Sequence, residues 1–184
     1  ADSGGIASSG SGGLTLEDCT ISHNMAHHGY GGGLAISRRA TVTRCTIAAN
    51  FSRGMQGFQE RYDVQGMLSA GVWCRGTGIT FTDCRIVGNI GGGVAVEIGI
   101  EDLPATVFER CTIAGNFAEW GAGVYCRFSA PRFVHCVISG NAAERGAGLY
   151  LISGALPSLE SSIVWGNTGP LLWKDGTSDL VATA

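Results

Sequence analysis

CTIAGNFAEWGAGVYCR, the run from Cys111 to Arg127, holds a Cys-led apolar strand ending at Asn116 and a second apolar strand led by Gly123. The same signature recurs along the chain. CTISHN ends at Asn24, CTIAAN at Asn50, CRIVGN at Asn89, CVISGN at Asn141 and SIVWGN at Asn167. Successive Asn lie 26, 39, 27, 25 and 26 residues apart. Gly-led strands recur at Gly5, Gly33, Gly71, Gly93, Gly123 and Gly148. A third apolar position, three before the Cys, reads Leu16, Val42, Phe81, Phe108, Phe133 and Leu159.

Each unit thus holds three short strands and no 3.6-residue periodicity. One such unit cannot bury its apolar side alone. Stacking like units at a strand spacing of about 4.8 Å makes a continuous core. The expected fold is all-β: a right-handed, single-stranded parallel β-helix of about six coils, with inward Cys, Ile, Val and Phe stacks. The Asn are expected to form a ladder at one corner. Glycine and Asn are both assigned to corners with positive φ, where their backbones are least strained. The expected domain is one unit, 1–184, a fragment of a longer protein, with an inserted loop at 51–70.

Composition narrows the function classes. The 45% hydrophobic content argues against disorder, and 30 Gly suit a chain with many tight corners. A net charge of −3 with 12 scattered Lys and Arg offers no basic stripe for nucleic acid. No apolar run reaches the roughly 18 residues of a membrane-spanning helix, so no membrane insertion is expected.

The motifs resemble parallel β-helix repeat proteins of the pectate-lyase-like superfamily. CTIxxN followed by GGG or GAG is similar to large bacterial secreted repeat proteins and, more loosely, to passenger domains of polymorphic outer membrane proteins. The resemblance implies a secreted or cell-surface location. It also leaves function open, since this scaffold carries lyases, hydrolases, adhesins and stalks.

Seven Cys are present. Five of them, Cys19, Cys45, Cys84, Cys111 and Cys136, fall in one column, which reads as a buried row of free thiols. A metal site needs converging ligands, and a line along the core supplies none. The preceding column, Asp18, Arg44, Asp83, Arg110 and His135, alternates in charge and reads as an exposed salt ladder. His23, His27 and His28 cluster near the first Asn, with no carboxylate to complete a metal set.

Strand alternation sends Trp73 outward, in a column with Tyr125 and Tyr150, and places Arg75, Glu97 and Arg127 two residues further on. These six residues, Trp73, Arg75, Glu97, Tyr125, Arg127 and Tyr150, are the candidate ligand-binding face, with exposed rings for sugar stacking and Arg for carboxylates. The loop FQERYDVQ lies beside it. Two readings follow: a scaffold or binding module for an extracellular acidic polysaccharide, and a polysaccharide lyase or glycoside hydrolase acting on an acidic glycan. For the lyase, Arg75 or Arg127 would neutralise the uronate, and Glu97, Tyr62 or Arg61 would take the proton. No cofactor is expected; Glu101 and Asp102 are the weak pair for calcium. Polygalacturonase elements such as Asn-Thr-Asp and Gly-His-Gly are missing, which favours binding over turnover. End-to-end or edge self-association is the other expected contact.

Overall fold

In a computed structural model, residues 4–9, 12–27, 30–52, 71–97 and 105–184 are described. They form three long parallel sheets whose strands follow one another in turn around each coil, with a fourth, two-stranded sheet pairing Met25–Ala26 with Phe51–Ser52. The first sheet has seven strands: Ile6–Ser8, Leu34–Ile36, Val72–Cys74, Val94–Glu97, Val124–Arg127, Leu149–Ile152 and Leu172–Lys174. The second also has seven, from Leu14–Glu17 through Ile79–Thr82 to Val181–Thr183. The third has six, from Thr20–Ser22 to Ile163–Trp165. Among the described residues there is no helix. The expected parallel β-helix is what forms, and the last strands of the first two sheets extend it past Asn167.

Registers match the sequence columns. Val42, Phe81, Phe108, Phe133 and Leu159 are successive partners in the second sheet. Phe81, Phe108 and Phe133 stack at 4.8 and 5.0 Å with no exposure. Each such buried ring contributes roughly 1.5–3 kcal/mol. Ile21, Ile47, Ile86, Ile113, Ile138 and Val164 do the same for the third sheet.

The Asn ladder is complete from Asn24 to Asn167. Each Nδ2 donates to the Oδ1 of the next coil's Asn, at 3.0, 3.0, 2.9, 3.0 and 3.0 Å. The backbone N–H of the same Asn donates to that Oδ1 as well. The second Nδ2 proton goes to an Ile carbonyl of the preceding coil, as from Asn116 to Ile86 at 3.1 Å. An interior amide thereby uses both donors and both lone pairs.

Backbone strain falls elsewhere than expected. Neither the Asn nor the strand-leading Gly has positive φ. The residue before each Asn does: His23, Ala49, Gly88, Gly115, Gly140 and Gly166. So does the residue before each Cys of the five-Cys column and before Ser162, from Asp18 at 52° to Ser161 at 45°. The strand-leading Gly are there for space. A Cβ on Gly93 would sit 2.7 Å from the Asn116 amide nitrogen, and one on Gly71 2.4 Å from the Gly93 carbonyl oxygen. Gly and Asn therefore recur together because the amide occupies the volume a side chain would need.

All seven Cys are free thiols, and all but Cys19 are buried. Within the column each thiol donates to the carbonyl two residues back, as Cys84 does to Thr82 at 3.2 Å. Ser162 takes this place in the sixth coil, where its hydroxyl accepts from the Cys136 N–H at 2.9 Å and donates to Glu160. In the charge column Arg44 pairs with Asp18 and Arg110 with Asp83, all exposed. The column is a ladder of separate pairs on the surface.

Candidate functional site

The candidate face is the outer side of the first sheet. Its register brings Ala35, Trp73, Ala95, Tyr125, Tyr150 and Trp173 into one row, and Glu97, Arg127 and Ile152 into the next. Alternation thus places five of the six candidate residues in these rows, and Arg75 directly follows the strand Val72–Cys74.

Their exposure is not as expected. Trp73, Tyr125 and Tyr150 are only 3–5% exposed and form a second apolar cluster outside the coil. Tyr30 stacks on Trp73 at 4.4 Å, while Trp120 and Trp173 stack on Tyr150 at 5.8 and 4.5 Å. The chain returning from the Asn corner folds flat over this row. A Cβ on Gly121, which has φ 61°, would meet the Tyr125 and Tyr150 Cβ atoms at 3.0 and 3.1 Å. Gly31 and Gly146 make equivalent close approaches. The GAG runs therefore lie against Tyr125 and Tyr150 while the Tyr30 ring lies on Trp73, so these three rings are not the exposed face expected.

Three rings beside this row are partly exposed: Tyr30 and Trp120, which lie over it, and Trp173, the last ring of the row itself. Sequence reasoning missed all three. For two of them the available signal was an aromatic residue directly before a GGG or GAG run, Tyr30 before GGG and Trp120 before GAG.

At the margin of this layer lies a polar cluster. Glu97 is 6% exposed, and its Oε2 accepts a hydrogen bond from Trp73 Nε1 at 3.3 Å. Its Oε1 is buried without a partner, and so is Arg127 Nε; among the described residues no other buried side-chain nitrogen or oxygen is left this way. Glu97 and Arg127 are register partners yet form no ion pair with each other. The Arg127 guanidinium instead lies 5.1 Å from the centre of the exposed Phe128 ring. Arg75 is exposed, one residue past Cys74, the register partner of Val96.

Burial pushes the Glu97 carboxyl above its ordinary range, opposed by the Trp73 hydrogen bond and by the charges of Arg127 and Arg75. Tyr30 is raised too, first by burial and then by the Glu97 charge, with Arg75 and Arg127 pulling the other way. One carboxylate, two guanidiniums and a phenol thus share a neighbourhood. This set can hold polar groups of either sign. It lacks, among the described residues, the second carboxyl that paired acid and base chemistry would use.

The remaining candidates, Arg61, Tyr62, Glu101 and Asp102, lie outside the described residues, as does His28. No group of three or more potential metal ligands occurs among the described residues. A further surface feature escaped the sequence reading: the residues just after the Asn, Met25, Phe51, Ile90 and Phe117, form an outward apolar stripe. Met25, Ile90 and Phe117 are 50–59% exposed.

Three parallel sheets coiled in register, with an internal amide ladder, define a β-solenoid repeat protein. Residues 4–183 match the family described as Right handed beta helix region, and the chain belongs to that family. Searches of curated proteins and of solved structures return no match.

Proposed function

We propose that this chain is a non-catalytic β-helix module, secreted or held at a cell surface, that binds an acidic polysaccharide. The observation that supports the reading is the placement of Arg75 and Arg127 on one row of a rigid sheet, either side of Glu97 and beside the partly exposed Tyr30. Guanidiniums offer paired donors to uronate carboxylates. A sheet with an internal amide ladder holds them at fixed separation. Burial of the thiols is compatible with oxidising surroundings, since enclosed sulfurs are shielded from exchange.

Calorimetry with acidic and neutral oligosaccharides tests this. The acidic ligand should bind, the neutral one should bind weakly, and Arg75→Ala should weaken binding by about tenfold or more, as expected for loss of a charge-assisted hydrogen bond. No binding to any acidic glycan would reduce the molecule to a structural stalk. The lyase reading draws on Glu97, whose raised carboxyl could accept a proton. Unsaturated product measured by absorbance, and lost in Glu97→Gln, would establish it instead.

A further inference from the structure

Resting on that reading, we infer that the row Arg75, Glu97, Arg127 selects a glycan in which uronate residues alternate with neutral, hydroxyl- or amide-bearing residues. Glu97 and Arg127 are register partners on adjacent strands, and Arg75 directly follows the strand Val72–Cys74, whose Cys74 pairs with Val96, so the three positions follow one another at a strand spacing of about 4.8 Å. A pyranose advances along an extended polysaccharide by nearly the same distance. A glycan running along the helix axis would therefore meet a guanidinium, a carboxylate and a guanidinium in turn.

The chemistry of each position differs. Arg75 is exposed and donates only, which suits a uronate carboxylate. Arg127 also only donates, and its buried Nε has no partner. Glu97, when ionised, only accepts, and its Oε1 is unpartnered in an enclosed position where Trp73 already holds Oε2. A uronate carboxylate set against Oε1 would bring two acceptors and two like charges together. A hydroxyl or N-acetyl N–H would supply the missing donor. An unmet buried acceptor is costly, so the group that satisfies it is selected more sharply than any apolar contact would achieve. Because Oε1 is enclosed, the ligand must displace cover to reach it. Tyr30, stacked on Trp73 and electrostatically linked to Glu97, Arg75 and Arg127, is the partly exposed ring beside it.

The test is calorimetry with three oligosaccharides of matched length: one alternating glucuronate and N-acetylglucosamine, one all galacturonate, and one neutral. The parent is compared with Glu97→Gln and Arg75→Ser, each first shown to melt cooperatively. The parent should prefer the alternating oligomer to the homopolymer by about tenfold, the size of one unsatisfied polar group. Glu97→Gln should bring the two within about threefold by removing the like charge, and Arg75→Ser should weaken both together. Equal or reversed preference in the parent would overturn the alternation while leaving acidic glycan binding in place. A preference that survives intact in folded Glu97→Gln would overturn the role given to this row. Binding of neither acidic oligomer would overturn both the alternation and the function proposed above.

Discussion

At the residue before each Asn the chain needs a left-handed backbone, and four of the six coils meet that need with Gly. Ala49, at φ 52°, and His23, at φ 57°, do not. A Cβ on Gly115 would have free space, its nearest neighbour being the Gly88 nitrogen at 4.0 Å, so only backbone strain opposes one there. Reciprocal changes should therefore act in opposite directions. Gly115→Ala is expected to cost about 1 kcal/mol, and Ala49→Gly to stabilise by up to about the same amount. Melting temperatures of the two variants check this; a shift of the same sign in both would refute it. Glu97 gives a second residue-scale outcome. Its carboxyl is raised above 4.5 by burial, more than Trp73, Arg127 and Arg75 lower it, with Tyr30 and Tyr125 also facing it. A group with a raised folded pKa contributes stability that is full below its unfolded value and is lost as pH climbs through the folded one. Glu97→Gln, which stays neutral, should match the parent below about pH 4.5 and melt higher than it near neutrality. Parallel melting curves across that window would show that the carboxylate is adequately solvated or paired.

At the scale of the element, the amide ladder and the covered aromatic row show what repeats reveal and what they hide. Asn116 joins Asn89 and Ile86 on one side to Asn141 on the other. In Asn116→Leu the Asn89 backbone N–H and side-chain amide lose their shared acceptor, while the Asn141 oxygen and the Ile86 carbonyl each lose the Asn116 side-chain donor and Asn141 keeps only the backbone N–H. Roughly 1–3 kcal/mol is expected for such unsatisfied groups, read as a fall in denaturation midpoint. Asn116→Leu unfolding like the parent would remove the ladder from the list of stabilising features. That ladder was legible because a recurring Asn beside apolar columns has few other uses. Its backbone conformation was less so: the preceding column mixes His, Ala and Gly, and the conspicuous residue attracted the assignment. For Trp73, Tyr125 and Tyr150, alternation along the strand was sound, and it settled direction. Exposure depends on what lies above the sheet, and that was written in the GAG runs and in Tyr30, whose close approach to the row appears only once the return path from the Asn corner is known.

The whole molecule is a one-dimensional stack in which each coil touches only its neighbours, so interior coils are held from two sides and outer coils from one. The fold class was readable because column identity and column spacing both survive in the sequence. The surroundings of Glu97 and Arg127 were not, because they are set between columns, where the side chains of Trp73, Tyr30 and Phe128 meet them. The thiol row offers a built-in reporter of the stack: Cys19, Cys45, Cys84, Cys111 and Cys136 mark successive coils, and Cys19 alone is partly exposed. Local opening should begin at the outer coils and reach the middle last. Labelling under native conditions, resolved by peptide mass spectrometry and normalised to each thiol's rate in denaturant, should show Cys19 reacting first and Cys84 and Cys111 last. Full denaturation should release all seven thiols. Identical protection at Cys45, Cys84, Cys111 and Cys136 would mean that the coils open only together, and that the amide ladder couples them more tightly than nearest-neighbour stacking predicts.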